Sequence, residues 1–166
     1  LLKNGPIILD GATGSNLRLQ GMPPGVCSEL WVNEHPDILM KLKKDYVDAG
    51  SMAVYAPTFL ANRFSLTSMG LESEVKRLNL ENVKMAKDAV EGRALVAGNL
   101  STTSQPLEPF GTMTYEKLLD IYKEQISYLC EAGVDYLAAE TLLSLDEAMV
   151  ICDAAAAECK LPLTLS

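Results

Sequence analysis

The residues in this sequence that could do chemistry are two carboxylates, a hydroxyl and an amide, each placed after a short apolar run. They are Asp10 after residues 7–9, Thr58 after residues 53–56, Asn99 after residues 94–97 and Glu140 after residues 136–139. A carboxylate that leaves a buried strand is expected to be paired or to face a ligand, because burying it alone costs several kcal/mol. A carboxylate repels phosphate and attracts an ammonium or hydroxyl group. Asp10 and Glu140 together therefore predict recognition of a cationic amine.

Other interpretations of these residues stay open at the level of sequence. Residues 10–15 carry Gly11 and Gly14, which would permit the close backbone approach of a phosphate-binding turn. The segment lacks the third glycine of a dinucleotide-binding loop and the Lys-Ser/Thr pair of a P-loop, so a plain turn between strand and helix is an equal alternative. Glu140 could form a structural salt bridge or lie at a helix N-terminus. General acid–base catalysis also stays open, although no His or Lys follows a predicted strand.

The apolar runs that carry these residues recur five times and are separated by helix-like sequence. They cover residues 7–9, 53–56, 94–97, 136–139 and 161–165. This alternation predicts an α/β fold with a parallel sheet, because parallel neighbours need a crossover long enough to hold a helix. The carboxyl ends of such strands share one face, where ligands bind.

The spacing of the runs bears on how the sheet is completed. The runs start about every forty residues, and eight such units would make a (β/α)₈ barrel of the TIM type with about 300 residues. Residues 1–166 supply about five of these units within one domain, so the spacing fits either part of such a barrel or a complete open sheet, which length alone would favour. An open, doubly wound sheet of five strands is the alternative.

Helical patterns cover residues 36–49, 71–90 and 115–132, and a further helix opens at Ser144. In the first, apolar residues fall on one side, and Lys41, Lys43 and Lys44 fall largely on the other. Gly50 and Gly133 are expected to end helices, since glycine adopts the left-handed conformation without strain. Ser144 and Glu147 have the spacing of a capping box.

Composition excludes several classes of partner. Lys and Arg number 14 against 22 Asp and Glu, giving a net charge of −8, so neither nucleic acid nor an anionic membrane is an expected partner. No apolar stretch approaches the roughly 20 residues needed to span a bilayer, and residues 1–6 show no signal-peptide pattern, which predicts a cytoplasmic protein.

The four cysteines show the spacing of neither a disulfide framework nor a zinc site. They are Cys27, Cys130, Cys152 and Cys159. Because no two of them are closely spaced in sequence, we expect all four to act as small core residues.

Five short motifs resemble, in order, the N-terminal part of the homocysteine S-methyltransferase family. They are Asp10–Gly14, Glu29–Asn33, Ala49–Ser51, Thr58–Arg63 and residues 133–141. The family includes the homocysteine-binding module of cobalamin-dependent methionine synthase and betaine–homocysteine methyltransferase. The resemblance implies that residues 1–166 are the N-terminal portion of one truncated barrel domain. The whole barrel would methylate the zinc-activated thiol of homocysteine in methionine synthesis. The donor would be methyltetrahydrofolate through cobalamin on partner domains, betaine or S-methylmethionine.

The resemblance also implies roles for four residues of this chain. The carboxylates of Asp10 and Glu140 would hold the amino group of homocysteine. The backbone around Gly11 and the segment of Thr58 would receive its carboxylate. Pro57 departs from the pattern, since many members have Asn before the Thr-Phe pair.

The main departure from the family concerns the metal. Family members hold zinc with three cysteines, one after the sixth strand and an adjacent pair after the eighth. None of the four cysteines here matches those positions, so this chain is predicted to contribute no metal ligand and no catalytic residue.

Three hypotheses follow for the chain as a whole. It is the amino-acid-binding part of a homocysteine methyltransferase and inactive alone, a non-catalytic half-barrel, or an unrelated enzyme with a five-stranded sheet. The half-barrel could pair with a second copy through exposed edges at residues 7–9 and 161–165, so a homo-oligomer is one expectation.

Overall fold

A computed structural model describes residues 5–166 as a parallel sheet packed against helices, which confirms the predicted α/β class. The strands follow one another in space as they do in sequence, and every neighbouring pair is parallel. They are β1 (Ala53–Tyr55), β2 (Leu95–Ser101), β3 (Tyr136–Glu140) and β4 (Leu163–Leu165). Residues 1–4, on which part of the signal-peptide expectation rests, lie outside the described residues.

The first apolar run does not form the predicted strand. Leu9 makes a single parallel bridge to Ala53, supported by hydrogen bonds from Met52 N to Ile8 O (2.8 Å) and from Asp10 N to Ala53 O (3.0 Å). The side chains of Ile8 and Leu9 are 58% and 45% exposed, so no second layer packs over this segment to extend the pairing. The segment still runs beside β1 and brings Asp10 to the edge of the sheet.

Seven α-helices connect and cover the described strands. They are α1 (Thr13–Leu19), α2 (Ser28–Glu34), α3 (Pro36–Asp48), α4 (Arg63–Ser68), α5 (Val75–Val90), α6 (Tyr115–Glu131) and α7 (Leu145–Glu158), with a 3₁₀ turn at Glu72–Glu74 before α5. The four predicted helices are confirmed as α3, α5, α6 and α7. Sequence periodicity missed α1, α2 and α4, because six or seven residues are too few to establish a helical repeat.

The predicted helix ends are present, but one lysine is misplaced. Gly50 and Gly133 have φ values of 108° and 75°, and the Ser144 side chain accepts a hydrogen bond from Glu147 N. Lys43, assigned to the polar side of α3, is fully buried instead. That prediction was wrong because this part of α3 packs against the segment that carries Asp10, where a buried carboxylate pairs with the ammonium.

The main core lies between one face of the sheet and helices α5, α6 and α7. Val54, Val96, Leu100 and Leu137 point into it and are at most 1% exposed. Because side chains alternate along a strand, the opposite face of the sheet carries Tyr55, Asn99 and Glu140. The candidate site lies on this opposite face, at the carboxyl ends of the strands.

Candidate functional site

A cavity of about 410 Å³ opens at the carboxyl ends of β1, β2 and β3. Its wall contains three carboxylates together with apolar and aromatic side chains. The lining residues used below are Asp10, Gly11, Glu29, Tyr55, Phe59, Asn99 and Glu140. Among residues 5–166, no Lys, Arg or His lines the cavity. The wall is therefore acidic and favours a cationic group.

Asp10 is paired with a buried lysine that sequence reasoning missed. Its Oδ2 atom lies 2.6 Å from Nζ of Lys43, and both side chains are almost completely buried. Lys43 also donates to the Thr13 hydroxyl at 2.8 Å, and Asp10 Oδ1 accepts from Tyr55 N at 3.2 Å. Asp10 thus joins α3, the start of α1 and β1 in addition to lining the cavity.

Burial and the two site carboxylates perturb the groups around the cavity. Burial lowers the pKa of Lys43, and the adjacent Asp10 carboxylate opposes that shift. Burial, reinforced by the negative charges of Glu140 and Asp10, raises the pKa of Tyr55. The Tyr55 hydroxyl therefore stays protonated at neutral pH and keeps its capacity to donate a hydrogen bond.

Glu140 is held on one side by Asn99. Asn99 Nδ2 donates to Glu140 Oε1 at 2.7 Å, and both residues line the cavity. No donor among residues 5–166 reaches the second carboxylate oxygen, Oε2. Glu140 is therefore oriented by the protein and still has an oxygen that can accept a hydrogen bond from a ligand.

Thr58 does not line the cavity. It is fully buried, its hydroxyl donates to Asn99 O (2.9 Å) and accepts from Asn99 N (3.0 Å), and its carbonyl accepts from Gln125 Nε2 (2.7 Å). The flanking residues Pro57 and Phe59 form the cavity wall in its place. Of the four predicted site residues, the structure brings Asp10, Gly11 and Glu140 together and sets Thr58 behind them.

Gly11 has a structural reason to be glycine. A Cβ atom at this position would lie 2.8 Å from the Tyr46 hydroxyl and 2.9 Å from the Tyr46 ring. That hydroxyl donates to Ala12 O at 3.0 Å and fixes the loop against α3. The absence of a side chain therefore admits Tyr46 and leaves the Gly11 backbone at the cavity wall.

Glu29 is a cavity residue that sequence reasoning did not select. It is 2% exposed, its Oε1 accepts from Leu60 N at 2.8 Å, and its Oε2 accepts from the Ser28 hydroxyl at 2.8 Å. These bonds tie α2 to the loop after β1. The only sequence signal was its place in the Glu29–Asn33 motif.

Arg63 and His35 do not line the cavity and make contacts elsewhere. Arg63 pairs with Glu124, and His35 stacks on Trp31 with ring centroids 4.1 Å apart.

Among residues 5–166, no helix is long and apolar enough to cross a membrane.

The chain's own side chains do not form a metal centre in the described range. No three His, Cys, Asp or Glu residues between 5 and 166 are grouped so that they could hold a metal ion. Cys27 is buried, while Cys130 and Cys159 are half-buried. Cys152 is exposed on α7, so the expectation that it is a core residue was wrong.

Comparison with known proteins identifies one family. The sequence profile of the homocysteine S-methyltransferase family matches residues 7–166. The chain is 25% identical over 168 residues to homocysteine S-methyltransferase YbgG of Bacillus subtilis, an alignment that covers 87% of this chain and 53% of that protein. It is 30% identical over 118 residues to betaine–homocysteine S-methyltransferase 1 of Danio rerio, covering 69% and 29%.

The fold has a close counterpart among solved structures. The metallated form of the homocysteine methyltransferase MmuM from Escherichia coli superposes with a TM-score of 0.83 at 22% sequence identity. The match covers 99% of this chain and 64% of that one. The chain spans about half the length, or less, of the curated relatives it matches.

Proposed function

The chain belongs to the homocysteine S-methyltransferase family, and we propose that it supplies the amino-acid-binding part of an enzyme that methylates the thiol of homocysteine. The observation that carries the proposal is the acidic cavity, in which Glu140 is oriented by Asn99 and keeps one oxygen free for a donor. An α-ammonium group matches that oxygen in charge and in hydrogen bonding.

The proposal gives each site residue a role toward homocysteine. Glu140 accepts from the α-ammonium, whereas the Asp10 carboxylate is balanced by Lys43 and holds the cavity wall in place. The backbone of Gly11 lies on the same wall and is the candidate contact for the ligand's carboxylate. Holding both ends of the amino acid would fix the direction in which its thiol points, and orientation of this kind contributes strongly to catalysis.

The reaction requires a thiolate. The thiol of homocysteine loses its proton, the sulfur attacks the methyl carbon of the donor, and the donor's bond to that carbon breaks with its electron pair. Zinc, which the family resemblance implies for the intact protein, would lower the pKa of a bound thiol and so favour the thiolate. Because residues 5–166 do not group into a metal site, we assign no step of the reaction to a metal held by this chain.

Other features of the intact protein are also part of the proposal. Four parallel strands in sequential order, with residues 8–10 beside β1, support a (β/α)₈ barrel over a doubly wound sheet, whose strand order reverses. For the intact protein we further expect a bound zinc ion, cobalamin on partner domains, a cytoplasmic location and a homo-oligomer. The donor stays open among methyltetrahydrofolate, betaine and S-methylmethionine.

A methyl-transfer assay tests the proposed function. The intact protein is incubated with L-homocysteine and each donor in turn, and methionine is measured by mass spectrometry. We expect methionine with one donor, and we expect Glu140→Gln to raise KM for homocysteine by about tenfold or more, since a charge-assisted hydrogen bond is lost. An unchanged KM in Glu140→Gln would contradict the assigned role of Glu140.

A further inference from the structure

A continuous chain of hydrogen bonds runs from helix α6 through β2 to the Glu140 carboxylate. Gln125 Nε2 donates to Thr58 O at 2.7 Å, and the Thr58 hydroxyl bonds to both the carbonyl and the amide of Asn99 at 2.9 and 3.0 Å. The Asn99 side chain then donates to Glu140 Oε1 at 2.7 Å. These bonds join α6, the loop after β1 and β2 before they reach Glu140 at the end of β3.

The members behind the cavity wall are rigidly placed. Gln125 and Thr58 are fully buried, and Asn99 is only 6% exposed. A hydroxyl that bonds both backbone groups of one residue leaves that residue little freedom to move. The backbone of Asn99 is therefore held by packed protein, and its side chain reaches Glu140 from that fixed point.

The Asn99 side chain is poorly explained by fold stability. Its orientation follows from Glu140, because a carboxylate accepts and only the NH₂ end of the amide can donate to it. With that orientation, Oδ1 is buried and no donor among residues 5–166 reaches it. An unsatisfied buried acceptor destabilises a fold, so the contact of Asn99 with Glu140 comes at a cost in stability.

We propose that Asn99, held in place by Thr58, is a positioning residue that orients the Glu140 carboxylate toward the ligand's ammonium group. This inference rests on the proposed function. It names the residues that give the cavity its selectivity for a ligand with an amine. It also gives Thr58 a role behind the cavity wall instead of a contact with the ligand.

The test compares two ligands that differ only in the amine. Dissociation constants are measured on the intact protein for L-homocysteine and for 4-mercaptobutanoic acid, which lacks the α-amino group. We expect Asn99→Ala to reduce the preference for homocysteine about tenfold, because Glu140 loses its fixed orientation. Asn99→Ser serves as a second variant in case the alanine variant folds poorly.

A double-mutant cycle separates positioning from direct contact. In a Glu140→Gln background, Asn99→Ala should cause no further loss of amine preference, since Asn99 acts through Glu140. An equal loss in both backgrounds, or an unchanged preference in Asn99→Ala, would overturn the inference. If the unmodified protein itself shows no preference for the amine, the proposed function fails first, which is a distinguishable result.

Two matched controls address a purely structural effect. Ser101 lies two residues after Asn99 on the same face of β2, and its buried hydroxyl has no hydrogen-bond partner among residues 5–166. Ser101→Ala should therefore leave the preference for homocysteine unchanged. Thr58→Val should lower the preference, whereas Thr58→Ser, which keeps the hydroxyl, should restore it. Equal preference in Thr58→Val and Thr58→Ser would contradict the role of the Thr58 hydroxyl.

Discussion

At the scale of single residues, the pairing of Asp10 with Lys43 means that a mutation at Asp10 changes the stability of the fold. Both side chains are buried and their charged atoms are 2.6 Å apart, so Asp10→Asn would leave a buried ammonium without its counter-ion. We expect Asp10→Asn and Lys43→Met each to lower the free energy of unfolding by about 3 kcal/mol. The double variant should lose clearly less than the sum, because neither charge is then left alone. Urea denaturation of the four proteins measures this, and additive losses would contradict a coupled pair.

The half-buried Cys130 gives a second prediction at this scale. Burial and the neighbouring Cys159 raise its pKa to about 12, so its thiolate fraction at pH 8 is roughly a thousandfold below that of a free cysteine. Iodoacetamide should therefore modify the exposed Cys152 first and Cys130 at least tenfold more slowly, as followed by peptide mass spectrometry. Equal labelling rates for Cys130 and Cys152 would show that the Cys130 thiol is not suppressed.

The sequence predicts two carboxylates that lie at the cavity, but it does not predict their protein partners. Because each follows an apolar run, Asp10 and Glu140 are predicted to share one site, and the structure places both at one cavity. Lys43 was missed, since a helical wheel shows which side of α3 is polar but not that a buried carboxylate lies against it. Its position after a strand predicts Thr58 at the ligand, but that position does not reveal that the Thr58 hydroxyl turns back onto Asn99.

At the scale of elements, the approach of α6 to β2 depends on Gly98. A Cβ atom there would lie 2.9 Å from Leu129 Cδ1 and 3.2 Å from Leu129 Cβ, and the latter atom cannot move without the helix. We expect Gly98→Ala to lower the free energy of unfolding by about 1–3 kcal/mol through overpacking. Chemical denaturation is the measurement, and Gly14→Ala, where a Cβ atom meets nothing within 4 Å, is the control. A neutral Gly98→Ala variant would show that α6 can shift at no cost.

The predicted elements and the observed ones differ where tertiary contacts decide. Helices α3, α5, α6 and α7 are long enough for an apolar stripe to show in the sequence, and the ends marked by Gly50, Gly133 and Ser144 are confirmed. Residues 7–9 have the composition of a strand, but their pairing with β1 is limited to one bridge and two of their side chains are exposed, so composition alone does not show how far a pairing extends.

At the scale of the whole molecule, the sequential parallel order of the strands is what the barrel proposal predicts for the intact protein. In a closed barrel β4 would be paired on both sides, like β2, whereas in an open sheet it would remain an edge. Hydrogen exchange on the intact protein should therefore show Leu163–Leu165 protected to a degree similar to Leu95–Ser101. Fast exchange of β4 beside slow exchange of β2 would favour the open sheet.

The central claim, that the acidic cavity binds homocysteine through its α-ammonium group at Glu140, is tested most directly by a crystal structure with L-homocysteine bound. The account predicts the ammonium nitrogen within about 3.2 Å of the Glu140 carboxylate, with Asn99 still donating to Oε1 and the ligand's carboxylate near the backbone of Gly11. Homocysteine bound outside this cavity, or bound in it with its ammonium away from Glu140, would contradict the account.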